Sequence, residues 1–196
     1  MKRFIRTLML CTVLFTTMWI TVSCAAFSGL NDEEAREILA DLIPRSAELN
    51  EIFWGTGLPV VEYDADDLPK SIRWKYYEVT PDCKYQTMAA LDAEASQVFT
   101  YKYLQSMYEW AFFGTYDLPS RYSESERGVL QRNVMDDGFE LTTVFHIGQA
   151  RVKSGTRDKV TVNVPADGYE GEPYDGGINL VLIRENGVWL LDSPTY

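Results

Sequence analysis

Histidine and cysteine are scarce in this chain of 196 residues, which has one His and three Cys. A zinc site takes three or four ligands, mostly from these two residue types, so the sequence predicts no metal site. A glycine-rich cofactor loop is missing too, because Gly55-Thr56-Gly57 does not join a strand to a helix. No Gly-x-Ser-x-Gly segment is present to carry a nucleophilic serine. We therefore expect no cofactor and no catalytic residues, and we interpret the chain as non-enzymatic.

The two reactive side chains of the expected domain are His146 and Cys83. His146 lies between Phe145 and Ile147 in a strand-like segment, which is typical of a structural hydrogen bond within a sheet. Cys83 follows Pro81-Asp82 and is predicted to be a free thiol in a loop. The two could act as a thiol hydrolase dyad only if the fold brought them together, and nothing in the local sequence indicates that.

Basic residues are in the minority, since 18 Lys and Arg face 29 Asp and Glu and give a formal net charge of −11. An acidic chain is a poor ligand for phosphate backbones, so we do not expect nucleic acid as a partner. The excess grows if the first residues are removed, because Lys2, Arg3 and Arg6 lie there. Charge of this sign favours a basic protein surface as partner, although it also serves solubility.

The N-terminal residues have the pattern of an export signal, a basic start followed by an almost uncharged apolar run over 8–22. This run is shorter than the about 20 residues of a membrane span. Thr21-Val22-Ser23-Cys24 resembles the lipobox of bacterial lipoproteins, which are cleaved before a cysteine that then carries lipid; Thr21 stands where an aliphatic residue is usual. We expect residues 1–23 to be a signal peptide and residues 24–30 a tether lipidated at Cys24.

This N-terminus predicts that the protein is exported and is anchored by lipid to the outer face of the cytoplasmic membrane of a Gram-positive-type bacterium. Ordinary secretion, with cleavage near Ala25 or Ala26, is the alternative.

Helix signals dominate the first part of the expected domain. Asn31 with Glu34 three residues later predicts a capped helix start, and apolar spacing continues to Phe53. Pro44 lies inside this pattern, and its missing amide hydrogen predicts a kink or a split near Ile43. The stretch Leu49 to Pro59 holds two adjacent aromatics and two glycines, so we expect the helix to end there in a turn.

The middle of the chain predicts a strand over 72–80 and two further helices. Thr87 can cap a helix over 88–95, and Thr100 can cap one over 101–113 that ends at Gly114. The second of these has more aromatic surface than one buried face needs. It is therefore either core or the cover of a pocket, for which we name Trp54, Tyr103 and Trp110 as lining residues.

Strand signals follow, over 129–134, 139–152, 159–164, 178–183 and 188–191. Turns are expected at Asp136-Asp137-Gly138, Gly155-Thr156 and Asn186-Gly187, and a long loop at 165–177. Helices first and an antiparallel meander afterwards predict one α+β domain over residues 31–196, with N-terminal helices packed on a curved antiparallel sheet.

This layout is that of cone-shaped folds such as the nuclear transport factor 2-like and cystatin-like domains. Its details resemble a group of exported Gram-positive proteins that includes the bacterial DL-endopeptidase inhibitor (IseA-like) family. The resemblance implies a non-catalytic protein that binds and blocks a cell-wall peptidase. The resembling segments are Phe53-Trp54-Gly55-Thr56-Gly57-Leu58-Pro59, Tyr76-Tyr77-Glu78-Val79, Val98-Phe99-Thr100-Tyr101-Lys102-Tyr103 and the segment from Gly187 to Tyr196.

We accordingly expect an extracytoplasmic lipoprotein domain that inhibits a peptidoglycan hydrolase. An acidic loop could enter the groove of such an enzyme, and the candidate contact residues are Glu62, Asp64, Asp66, Asp67, Asp167, Glu170, Glu172 and Asp175. One alternative is a small-molecule-binding or enzymatic domain with an aromatic pocket, which a deep cavity holding His146 and a carboxylate would favour. Another is a structural envelope protein with a filled interior.

Overall fold

The computed structural model describes residues 29–63, 74–115 and 118–196. Several expectations therefore lie outside the described residues: the signal peptide over 1–23, lipidation of Cys24, and the contact residues Asp64, Asp66 and Asp67.

Within these ranges the chain forms three α-helices and nine strands, and the fold class is α+β. The helices are α1 (Asp32–Phe53), α2 (Met88–Ala95) and α3 (Tyr101–Tyr108), and α3 continues into a π-helical turn, Glu109–Phe113. The strands are β1 (Tyr76–Glu78), β2 (Tyr122–Glu124), β3 (Leu130–Asn133), β4 (Val144–Phe145), β5 (Arg151–Gly155), β6 (Lys159–Val164), β7 (Ala166–Asp167), β8 (Ile178–Glu185) and β9 (Val188–Leu191).

Helix α1 begins at the predicted capping box. The Asn31 side chain accepts hydrogen bonds from the amides of Glu33 and Glu34, and the Glu34 carboxylate accepts one from the Asn31 amide at 2.9 Å. These contacts satisfy amides that have no partner within the helix. The predicted caps of α2 and α3, Thr87 and Thr100, are confirmed in the same way.

Of the two outcomes predicted at Pro44, the split is wrong, because α1 runs through this residue from Asp32 to Phe53, and the kink stays a prediction. Pro44 and Ala40 are both exposed, so the carbonyl of Ala40 that loses its amide partner can be hydrated instead. The turns on either side are held by buried residues, among them Leu39 and Leu49. Packing of these apolar side chains outweighs the loss of one hydrogen bond on the solvent side.

The strands lie in three sheets rather than the single sheet that we predicted. The largest is antiparallel with the order β5-β6-β8-β9, and it is the expected meander. A second sheet has the order β1-β3-β2, and β4 pairs with β7 in a third. The strand predicted over 139–152 is wrong, because regular structure there is confined to β4, the short 3-10 helix Ile147–Gln149 and the start of β5.

The core lies between α1 and the four-stranded sheet. Val160, Val162 and Val164 on β6 are fully buried, as their alternation predicts. Helix α1 packs against β5 and β9, and the amide of Thr100 donates to the Leu191 carbonyl at 2.9 Å, which ties α3 to β9. None of the helices in the described part of the chain is long and apolar enough to cross a membrane.

Candidate functional site

The turn that follows α1 is held by side chains from β2, β3 and the residue before β2. The buried Arg121 guanidinium donates to the carbonyls of Ile52, at 3.1 Å, and of Gly55. The Tyr122 hydroxyl donates to the Ile52 carbonyl at 2.9 Å, and Arg132 donates to the Thr56 carbonyl. The last carbonyls of a helix have no partner within it, so these contacts fix how the chain leaves α1.

Glu51 closes the same turn from the other side. Its carboxylate accepts hydrogen bonds from the Thr56 amide at 2.8 Å and the Thr56 hydroxyl at 2.7 Å. The hydroxyl and then the amide of Thr56 lower the pKa of Glu51, because both bonds favour the ionised form. Gly55 has no Cβ, which leaves room for this carboxylate to lie directly beside it.

The segment 134–143 crosses this turn instead of forming the hairpin that we predicted at Asp136-Asp137-Gly138. Asp136 pairs with Arg121 at 2.8 Å, and the Phe139 amide donates to the Trp54 carbonyl at 2.7 Å. Gly138 has a φ of +70° and lies so close to the Gly55 carbonyl that a Cβ at this position would overlap it. A long-range contact with the turn after α1 therefore replaces the local strand pairing.

Two hollows open on either side of this crossing, and Trp54 and Phe139 belong to both. The Trp110 hollow has a volume of about 340 Å³, and its walls include Phe53, Trp54, Trp110, Arg121, Met135 and Phe139. The Tyr196 hollow has a volume of about 350 Å³, and its walls include Trp54, Phe139, Glu140, Thr143, Tyr174 and Tyr196. Both volumes lie at the lower end of the range of ligand sites, about 300–1,000 Å³.

Trp54 is partly buried and forms the wall between the hollows. Its ring lies 5.7 Å from that of Tyr196, centroid to centroid, with a 40° tilt. Its indole Nε1 is buried and has no hydrogen-bond partner among the described residues. Trp54 thus packs against the core and also lines both hollows.

Trp110 lines the predicted pocket with Trp54, but Tyr103 does not line it. Tyr103 packs against Phe99 with ring centroids 5.1 Å apart, and burial, followed by nearby Tyr196, raises its pKa. Tyr103, Met107 and Trp110 are three or four positions apart, a spacing that would place them along one side of a regular helix. Met107 is nevertheless buried, whereas Trp110, in the π-helical turn that begins at Glu109, is 55% exposed.

The acidic loop over 165–177 keeps its predicted position between β6 and β8, although it contains β7 and a short 3-10 helix, Tyr169–Gly171. Glu170, Glu172 and Asp175 are exposed on it, and Tyr169 is 64% exposed. Its backbone is tied internally, with the Gly168 amide donating to the Glu172 carbonyl at 2.8 Å and the Tyr174 amide to the Ala166 carbonyl at 2.9 Å. Of the four candidate contact residues in the acidic segment 62–67, Glu62 is the one that the structure describes, and it is also exposed.

Asp167 has a structural role within this region. Its carboxylate lies 2.8 Å from His146 Nε2, and the backbone of β7 pairs with β4 beside it. The predicted structural hydrogen bond of His146 is thereby confirmed, although His146 lies just after β4 rather than within a strand. His146 is among the walls of neither hollow.

Cys83 is a free thiol, partly buried against the core.

A larger groove of about 790 Å³ lies between α1 and the β8–β9 hairpin. Its walls include Ile38, Leu42, Phe99 and Trp189, together with Arg45 and Asp41. Arg45 pairs there with Asp41 at 3.3 Å and with Glu94 at 2.9 Å. None of the described side chains that the sequence singled out for binding lies in this groove.

Sequence reasoning missed Phe139, Tyr174 and Tyr196 as parts of the site. The available signal was an aromatic residue next to glycine or acid, either directly after a predicted turn, as in Gly138-Phe139-Glu140, or in a predicted loop, as in Pro173-Tyr174-Asp175. Aromatic residues in such segments are exposed unless a distant element covers them, and 72% of Phe139 is indeed exposed.

Across residues 29–63, 74–115 and 118–196, no three His, Cys, Asp or Glu side chains are grouped so that they could hold a metal ion. Comparisons with protein-family models and with curated proteins find no match for this chain.

Proposed function

We propose that this chain is a non-enzymatic, extracytoplasmic lipoprotein domain that binds a protein partner and restrains a cell-wall peptidoglycan hydrolase. The proposal includes a cone-shaped, cystatin-like arrangement of the helices and the sheet. It also includes lipid anchoring through Cys24 on the outer face of the cytoplasmic membrane.

The acidic loop over 165–177 is the observation that carries the proposal. It presents Glu170, Glu172 and Asp175 to solvent next to the exposed Tyr169. An aromatic anchor surrounded by charge is a common composition of protein-binding surfaces. The internal hydrogen bonds of the loop reduce the entropy that would be lost when a partner orders it.

Hydrogen bonds from two residues outside the loop also hold its backbone in place. The His146 amide donates to the Pro165 carbonyl at 2.8 Å, and the Asn163 side-chain amide donates to the Gly176 carbonyl at 2.8 Å. In the proposed mechanism this braced loop enters the groove of a hydrolase and excludes the peptide stem of peptidoglycan. The carboxylates then attract basic groups at the mouth of that groove.

The test is hydrolysis of purified peptidoglycan by a DL-endopeptidase in the presence of the soluble chain beginning at Ala25. We expect the unmodified chain to inhibit, and the triple variant E170K/E172K/D175K to lose most of that inhibition. The matched control E37K/E126K/D158K reverses three exposed acids elsewhere and should keep it, since its net charge is the same. Equal inhibition by both triple variants would rule the loop out, and no inhibition by the unmodified chain would favour the structural envelope role.

A second candidate function is small-molecule binding, which the Trp110 hollow favours because Trp54 and Trp110 line it together. Arg121 and Asp136 in its wall pair at 2.8 Å, and Asp137 adds a further carboxylate beside the apolar walls, so a largely apolar ligand without a negative charge suits it best. Native mass spectrometry of the chain purified from the cells that make it would show a retained ligand. The ligand should be absent from the variant W110A and present in F113A, which removes another exposed aromatic of the same π-helical turn.

A further inference from the structure

We infer that the Tyr196 hollow binds an alkylammonium group, the side chain of a lysine on the protein partner. This inference rests on the proposed function for the partner, and it names the chemistry by which that partner is recognised.

Four aromatic rings form the walls of this hollow, those of Trp54, Phe139, Tyr174 and Tyr196. Phe139, Tyr174 and Tyr196 keep 72%, 44% and 46% of their surface exposed, so burial in the core does not explain them. The face of an aromatic ring is negative, and several rings around one opening are the recognised arrangement for binding an ammonium group. The hollow has the size of a side chain rather than of a folded segment, at about 350 Å³.

Charge distinguishes this hollow from the other cavities. Glu140 is an acidic residue of its wall, and no Lys or Arg is among the described residues that line it. The Trp110 hollow contains Arg121, and the larger groove contains Arg45. Arg121 lies beside Asp136 and Arg45 beside Asp41, so both of those places already hold a cation next to their carboxylates, whereas a ligand cation in the Tyr196 hollow would meet Glu140 with no basic residue among the described walls.

The walls are also held in position before any ligand arrives. The Phe139 amide donates to the Trp54 carbonyl at 2.7 Å, and the Thr143 and Tyr174 hydroxyls lie 3.4 Å apart. Beside Tyr196, buried Thr195 accepts a hydrogen bond from the Asn50 side chain at 2.8 Å. Preformed walls lose little freedom on binding, which favours recognition of a single side chain.

The hollow adjoins the acidic loop through Tyr174, whose neighbour Asp175 is exposed. A basic partner surface drawn to the loop would therefore bring its lysines to the opening of the hollow. In this arrangement the loop supplies long-range attraction and the rings supply the specific contact.

The test measures binding of Nα-acetyl-lysine methylamide and of its Nε-trimethylated form to the soluble chain, by ¹H–¹⁵N shift perturbation. The neutral probe is Nα-acetyl-norleucine methylamide, which has a similar length and no charge. We expect both cationic probes to shift the amides of Trp54 and Phe139 and to bind about fivefold more tightly than the neutral probe. Equal affinities for lysine and norleucine would overturn the inference.

Two variants and one control complete the experiment. F139A and E140Q should each weaken the cationic probes about threefold or more, whereas F113A, which removes an exposed ring outside the hollow, should not. Identical affinities for F139A and F113A would overturn the inference. E140Q guards against a folding defect in F139A, because it removes charge alone.

The hydrolase assay separates this inference from the proposed function. Probe binding that F139A abolishes supports the hollow even if the unmodified chain inhibits no hydrolase, in which case the function alone fails. Inhibition that F139A leaves intact, together with no probe binding, overturns the hollow and leaves the proposed function standing.

Discussion

The hydrogen bonds of Glu51 in the turn after α1 make the stability of the fold depend on pH. Its carboxylate accepts two hydrogen bonds from Thr56, and these bonds place its folded-state pKa below the ordinary value. A group with a lowered folded-state pKa stabilises the fold above its unfolded-state pKa, about 4.3 for Glu. That stability is lost as the pH falls through the lower folded-state value.

We therefore expect the free energy of unfolding of E51Q to depend less on pH than that of the unmodified chain below about pH 4.3. Urea unfolding at neutral pH and at acid pH measures the free energy of unfolding in each state. The control is E37Q, which removes an exposed carboxylate from the same helix. If E51Q and E37Q lose the same stability on acidification, the Thr56 bonds do not stabilise the fold.

Trp54 has an aromatic ring that lines both hollows and an indole N–H that has no hydrogen-bond partner among the described residues. A buried polar group without a partner costs about 1–3 kcal/mol, and Nε1 has none among the described residues. W54F removes the donor and keeps an aromatic ring, so its free energy of unfolding should change by less than about 1.5 kcal/mol. W54A should lose about 3 kcal/mol, because it also opens a cavity. Chemical denaturation compares the two, and equal losses would contradict the assignment of Nε1 as unpaired.

The crossing of the segment 134–143 over the turn after α1 depends on one backbone position. Gly138 has a positive φ and no room for a Cβ beside the Gly55 carbonyl. Gly128 also has a positive φ, of +74°, but a Cβ there would meet nothing within 4 Å. The two glycines differ in their surroundings and share the backbone conformation, so they make a matched pair.

We expect G128A to cost about 1–2 kcal/mol of stability, the usual cost of a left-handed conformation. G138A should cost clearly more, and it should also displace Phe139 from both hollows. Thermal unfolding measures the first effect, and the amide shifts of Trp54 and Phe139 report the second. Equal costs for the two variants would show that the segment 134–143 can shift to accommodate a Cβ at position 138, and that its path does not depend on Gly138.

The elements with local signals could be predicted from the sequence. The capping box at Asn31, the caps at Thr87 and Thr100 and the Asn186-Gly187 turn each depend on residues within a few positions of one another. Pro44 misled the prediction because its cost is local while the packing that overrides it comes from other elements. The same limit explains the strand predicted over 139–152, which begins at Phe139, whose amide donates instead to the Trp54 carbonyl in the turn after α1.

The candidate site was predictable only in part. Trp54 and Trp110 share a hollow as proposed, and the excess aromatic surface of the helix over 101–113 was the signal for Trp110. Tyr103 was assigned by helical spacing, and the π-helical turn, for which no sequence pattern is established, changed the register beyond it. Tyr196 reaches Trp54 through the pairing of Thr195 with Asn50, 145 positions apart, which periodicity cannot reveal.

At the scale of the whole molecule, the net charge of −11 acts at a distance. It should accelerate association with a basic partner at low ionic strength, because screening shortens the reach of the field. We expect the association rate with a captured hydrolase to fall as salt is raised, while the dissociation rate changes little. Surface plasmon resonance over a salt series measures both rates.

The two triple charge-reversal variants sharpen that measurement, since they change the net charge equally. E170K/E172K/D175K should slow association more than E37K/E126K/D158K if the loop faces the partner. An association rate that does not change with salt concentration would contradict electrostatic steering by either set of charges.

The hydrogen bonds that hold the turn after α1 also set the order in which the chain can fold. Those from Arg121, Tyr122 and Arg132 span 66 to 76 positions of sequence, far more than the bonds within the helix itself. Contacts of such separation form late, because a long loop must close first. Helix α1 can therefore form early, whereas both hollows should be absent from any partly folded chain and should appear together, in the final step.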